Sequence, residues 1–180
     1  MPTATDAVIS AQVAIPLAAT LNRDQAPWVL SLRRPMPHSP HTLWQMITEP
    51  EYLAHWSPIV PNRPLTTPGP ATCRETPEDT ATDAEVLSVG AYRQLIHQWG
   101  PEQLTWNIHP DHDGTVLELH QTVNSHTEAI MNAAGWHICL ARLATEQGGV
   151  SRERVVGMRA MDYGFAGLVE HYEELFPEAN

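Results

Sequence analysis

Apolar and polar residues alternate over four stretches in the middle of the chain, and each stretch runs into turn chemistry. Glu85–Val89, Arg93–Trp99, Gln103–Ile108 and Thr115–Val123 read as β-strands. Leu95, His97 and Trp99 share one face of their strand, and Leu104, Trp106 and Ile108 share a face of the next. Thr115, Leu117, Leu119 and Gln121 share a face of the last. The connectors Gly100-Pro101 and Asp111-His112-Asp113-Gly114 suit tight turns, so the strands form an antiparallel meander. Earlier in the chain, Leu17–Leu21 and Trp28–Arg34 flank a turn-like segment and read as a hairpin. Two short helices follow. Ser39 caps the first, with Pro40 at its first position and Leu43, Trp44 and Ile47 on its apolar face. Thr48-Glu49-Pro50-Glu51 reads as a capping box for the second, which turns Tyr52, Leu53 and Trp56 inward and stops at Pro58. From Pro58 to Thr82 the chain is rich in Pro and Thr, which excludes long central strands and leaves an edge strand near Ala71–Glu75.

After Val123 the apolar period changes from two to that of a helix. The pattern predicts a helix from Thr127 to Gln147, ended by Gly148-Gly149, with Ala129, Ala133, Trp136, Leu140 and Leu143 on one stripe. Gly135 lies inside this helix, where glycine costs roughly 1 kcal/mol relative to alanine. Close approach of another backbone is the expected reason. A last helix is predicted over Met161–Phe176, with Tyr163, Leu168, Tyr172 and Leu175 as its packing side. Residues 1–15 read as a loose arm or a crossing strand. The fold class is therefore α+β: a curved antiparallel sheet wrapped around a long C-terminal helix, with two short helices after the first strands. Residues 1–180 read as one domain.

Composition narrows the partners. The chain has 180 residues and a net charge of −11, which disfavours nucleic acid and anionic membrane surfaces alike. Cys73 and Cys139 are isolated, with no paired or metal-type spacing, so a reducing cytoplasmic setting is expected. No run reaches membrane-spanning length. The turn carrying His109, Asp111, His112 and Asp113 is ordinary hairpin chemistry, and no metal or other cofactor is expected. No spacing matches a nucleophile elbow, a metal-protease motif, a phosphate loop or a dinucleotide fingerprint, and no catalytic residue is assigned.

The run Leu43-Trp44-Gln45-Met46-Ile47-Thr48-Glu49-Pro50-Glu51-Tyr52-Leu53-Ala54-His55-Trp56 resembles a family motif, as does the later Ala134-Gly135-Trp136-His137. With Leu95–Trp99, Leu104-Thr105-Trp106 and Gly114–Leu119 between them, the chain is similar to SRPBCC domains of the START-like, helix-grip type. The bacterial branch it resembles is that of the heat-shock-chaperone ATPase activator homologues. Gln121 stands where that family commonly has a histidine, and His120 falls one place earlier on the opposite face. The resemblance implies a sheet gripping the long helix over a cavity for an apolar molecule. Trp56, Leu95, His97, Trp99, Trp106, Leu117, Gln121, Ala133, Trp136, His137 and Leu140 are the expected lining. His97 and His137 are its polar candidates, able to orient a ligand or to act as acid or base. The expected function is non-enzymatic binding of a small hydrophobic ligand. The alternatives are a cyclase or dehydratase using a cavity histidine, and a module that pairs with itself or with another polypeptide, as a chaperone activator does.

Overall fold

The computed structural model describes residues 4–179. Its strands include β1 (Ala18–Asn22), β2 (Trp28–Met36), β6 (Val86–Gly90), β7 (Gln94–Trp99), β8 (Glu102–Asp111) and β9 (Gly114–Val123). These six form one antiparallel sheet in the order β1-β2-β9-β8-β7-β6. The predicted meander is present with its alternation intact. Strand register lines up two inward rows across the sheet. One runs Leu32–Leu119–Trp106–Leu95, and the next runs Leu30–Gln121–Leu104–His97. The β8–β9 turn needs its glycine: Gly114 has φ +153°, and a Cβ there would sit 2.4 Å from the Met36 carbonyl oxygen.

Between β2 and β6 lie α2 (Pro40–Thr48) and α3 (Pro50–Trp56), followed by a three-stranded sheet of β3 (Val60–Pro61), β4 (Thr72–Arg74) and β5 (Thr82–Asp83). Ser39 caps α2 by accepting from the Thr42 amide at 3.2 Å. The expected capping box at α3 is not formed. Glu49 is the N-cap without a side-chain bond, and the Thr48 hydroxyl donates back to the Trp44 carbonyl at 2.7 Å. Thr48 is fully buried at the end of α2, so its hydroxyl is taken by the preceding turn before it can serve the next helix.

The long helix α4 (His126–Ala144) crosses the concave side of the large sheet. Ser125 accepts from the Glu128 amide at 3.1 Å, and the Glu128 carboxylate reaches back to the Asn124 amide at 2.7 Å. This reciprocal pair fixes where the helix begins. At its other end it stops at Ala144, before the predicted glycine pair.

Two segments differ from expectation. Over the described residues 4–15 the chain is not a loose arm: α1 (Ala7–Val13) is capped by Asp6 and packs on α4, while residues 1–3 of the expected arm lie outside the described part. The predicted last helix is split. Gly157–Tyr163 is a 3-10 helix, Gly164 turns the chain at φ +87°, and α5 (Phe165–Leu175) follows. Leu175 is exposed rather than packed, and Tyr172 is the buried residue of α5. Helix α4 thus lies between the sheet on one side and α1 and α5 on the other. That is why it is apolar nearly all round.

Candidate functional site

The space beneath α4 is filled by indoles. Trp56 from α3, Trp106 from β8 and Trp136 from α4 meet edge to face, with ring centroids 6.0 and 5.4 Å apart. Trp99 from β7 continues the chain, 5.6 Å from Trp136. Leu95, Leu117, Ala133 and Leu140 are fully buried around this stack. Side chains expected to line an empty chamber therefore pack on one another.

Each buried polar atom of this stack has a protein partner. The Trp56 indole N–H donates to the Met46 carbonyl at 2.9 Å. Trp136 donates to Gln121 Oε1 at 2.7 Å, and the Gln121 amide donates to the Glu102 carboxylate. Burial holds the Glu102 carboxyl above its usual range. Trp106 donates to His97 Nε2 at 3.1 Å, while His97 Nδ1 donates to the Gln98 carbonyl at 2.9 Å. Both ring nitrogens of His97 are thereby occupied in one neutral tautomer. Burial pushes its pKa down to about 4, partly opposed by the Gln98 bond.

His137 does not face the sheet. One residue beyond Trp136, it is rotated about 100° around α4 and points into the layer of α1 and α5. There its Nε2 donates to the Val13 carbonyl and its Nδ1 accepts from the Tyr172 hydroxyl, both at 2.8 Å. Burial lowers its pKa as well. His120, on the outer sheet face, bonds Ser31 and Glu118.

Open space adjoins one end of this stack, and a larger cleft of about 480 Å³ lies beside Ala54, Val60, Glu75 and Arg154. A cleft of about 230 Å³ is lined by Trp99, Trp136, Met131, Asn132, Gly135, Cys139, Pro58, Glu75, Val155, Val156, Gly157, Ala160 and Phe165. A second cleft of about 240 Å³ shares Pro58, Glu75 and Trp99 with it. Each alone is below the roughly 300–1,000 Å³ common for drug-sized ligands, so the space suits a smaller molecule. Gly135 does not permit a close backbone approach, contrary to expectation. A Cβ at Gly135 would meet nothing within 4 Å. The missing side chain widens the cleft.

Two arginines position the walls. Arg142 is buried in α4 and donates to the carbonyls of Glu153 at 2.7 Å and Arg152 at 3.1 Å, and to the Glu146 carboxylate at 2.5 Å. These bonds lay the segment before Val155 along the helix. Arg154 donates to the carbonyls of Ser57 at 2.8 Å and Glu75 at 2.6 Å. They draw Pro58 and the end of β4 toward the same opening. Cys139 lines the cleft as an inert thiol, its pKa pushed up to about 12 by burial. Of the residues expected at the site, Trp99 and Trp136 line this cleft. Sequence reading missed Glu75, Val155, Val156 and Phe165, which arrive from segments without strong periodicity. Among the described residues, no group of His, Cys, Asp and Glu is arranged to hold a metal ion, and no helix is long and apolar enough to cross a membrane.

Comparison with solved structures gives the same fold. A conserved protein of unknown function from Enterococcus faecalis, EF2215, superposes with a TM-score of 0.70 at 19% identity, covering 93% of this chain and 94% of its own. CalU16 from Micromonospora echinospora gives 0.68 at 17% identity, covering 90% and 99%. DynU16, from the dynemicin biosynthetic locus, gives 0.56 at 23% identity, covering 64% of this chain and 45% of its own. No curated protein matches by sequence. The family profile described as Activator of Hsp90 ATPase homolog 1-like protein matches residues 37–147, more than half of the chain. The chain belongs to that family, within the SRPBCC superfamily of helix-grip folds.

Proposed function

We propose that the protein binds a small apolar molecule, without catalysis, in the cleft between Trp99, Gly135 and Phe165. The observation that carries this reading is Gly135. A glycine in the middle of a long helix weakens it, by roughly 1 kcal/mol relative to alanine. Here no packing neighbour requires it, and its absent side chain opens an apolar hollow. The filled tryptophan stack serves as a rigid floor for that hollow. His97 and His137 have both nitrogens bonded inside the protein, which favours binding over acid–base chemistry. Two free, buried thiols fit a reducing, cytoplasmic setting.

The test is titration with a fluorescent apolar probe, N-phenyl-1-naphthylamine. The wild-type protein binds it, and Gly135→Leu, which fills the hollow from an unobstructed helix position, abolishes binding while the fold is retained. Equal affinity in both proteins would overturn the reading.

A second reading has its own observation. Met158 is 84% exposed and Met161 50%, on either side of the cleft-lining Ala160. Exposed, adaptable thioethers suit a protein partner, and the family's description as an ATPase activator fits a module of this kind. Under this reading Met158→Glu abolishes partner stimulation and leaves probe binding unchanged.

A further inference from the structure

We infer that the protein binds a compact anion at the Arg34 guanidinium, where β2 meets α1, as a second site separate from the apolar cleft. Strand β2 turns Leu30, Leu32, Arg34 and Met36 inward, and all four are buried. An arginine thus interrupts an apolar row, opposite Leu117 of β9, and it is only 3% exposed. Its Nη2 donates to the Gln12 side-chain oxygen at 2.7 Å and to the Gln12 carbonyl at 3.3 Å. Gln12 belongs to α1. The Arg34 Nε and Nη1 are buried without a hydrogen-bond partner among the described residues. Those two nitrogens carry most of the guanidinium's donors. No carboxylate among the described residues forms an ion pair with Arg34.

Burial lowers the Arg34 pKa, yet a guanidinium stays protonated at neutral pH. A buried cation with no counter-charge is among the costliest arrangements in a protein interior, and an apolar side chain of similar length would pack there without that cost. An anion supplies the missing charge and accepts the idle donors. The surroundings carry the same sign. Burial is the largest cause of the lowered His137 pKa, and the charges of Arg34 and His171 lower it further. His137 donates to the carbonyl of Val13, the residue after Gln12. Positive potential therefore gathers behind α4 in a chain whose net charge is −11. The two idle nitrogens are shielded from solvent, which limits the occupant to the size of a halide or formate. Entry requires α1, a helix of seven residues, to lift from Arg34.

The experiment follows thermal unfolding of the full chain at neutral pH and constant ionic strength, with sodium gluconate replaced stepwise by chloride, formate or pivalate. Gluconate is too bulky for the layer and serves as the reference. The wild-type midpoint is expected to rise with chloride and with formate, by about 5 °C at roughly a hundred times Kd. Arg34→Met keeps the apolar stem without the charge, and its midpoint should not respond to either anion beyond the gluconate reference. Arg34→Lys should keep part of the rise. Chloride-35 line broadening by the folded wild type, removed by formate, reads the same site without unfolding and without a variant. Equal wild-type midpoints in chloride, formate and gluconate would overturn the site. A rise that persists undiminished in Arg34→Met, or broadening that formate does not displace, would do the same. An Arg34-dependent rise that is larger with pivalate than with formate would overturn the assignment to a compact anion.

Discussion

The sheet side of α4 and the flank that carries Gly135 hold similar residue types and have opposite character. On the sheet side, Trp56, Trp106 and Trp136 interlock and each indole N–H has a partner inside the protein. On the Gly135 flank, Trp99 is half-buried, a glycine replaces a side chain, and the walls come from irregular segments held by arginines. Aromatic content alone therefore does not distinguish a floor from an opening. What distinguishes them is whether the neighbouring position supplies a side chain.

Replacing the central indole breaks this comparison most strongly. Trp106→Ala removes the ring between Trp56 and Trp136 and leaves His97 Nε2 without a donor. Its expected cost is about 3–5 kcal/mol in denaturant unfolding. Trp99→Ala, at the half-buried end of the same stack, should cost less than about 2 kcal/mol. Equal losses would mean that the two ends are one core.

Acid is the next lever. The folded protein holds His97 neutral down to about pH 4, whereas the unfolded chain protonates it near 6.5. Stability from this group is complete above the unfolded value and falls as pH drops through the interval toward 4. The shift corresponds to roughly 3 kcal/mol. His97→Gln keeps an acceptor for Trp106 and should flatten the stability profile between pH 6.5 and 4 relative to wild type. An unchanged slope would mean that His97 is not held neutral by the fold.

The smallest effect is the most diagnostic. Gly135→Ala should stabilise the protein by about 0.5–1 kcal/mol, because the new methyl group meets no neighbour and the helix gains propensity. The same change narrows the cleft and should weaken probe binding. A variant that is more stable and binds less well separates the opening from the core. Destabilisation would mean that the position is packed after all.

Much of the fold was legible because alternation and helical period report directly on which side of an element is covered. The shared faces of Leu95 with His97, of Leu104 with Trp106 and of Leu119 with Gln121 follow from that alone, whereas the register that aligns them into rows, and the pairing of β2 with β9, do not. His137 was misread for a related reason. Periodicity identifies a helix face but not the number of layers packed on it, and α1 and α5 supply a second layer. The segment Ala7–Val13 hid its helix in a short run containing Val8, Ile9 and Val13, although Asp6 was a visible cap. The close backbone approach expected at Gly135 is absent, since a glycine that admits a neighbour and one that leaves a hole look alike in sequence. The cleft walls near Val155 and Glu75 depend on Arg142 and Arg154 reaching main-chain carbonyls, which carry no residue identity.

The start of the chain is fastened to its later part. Asp6 accepts from Arg152 at 2.7 Å, its amide donates to the Tyr163 hydroxyl, and the carbonyl of Val13 receives His137. A shortened version trimmed to the family-matched span would lose this clasp together with two strands, and would present the rear of α4 to water as an oily seam. Such a fragment should clump during purification, so affinity handles belong outside Asp6 rather than in its place.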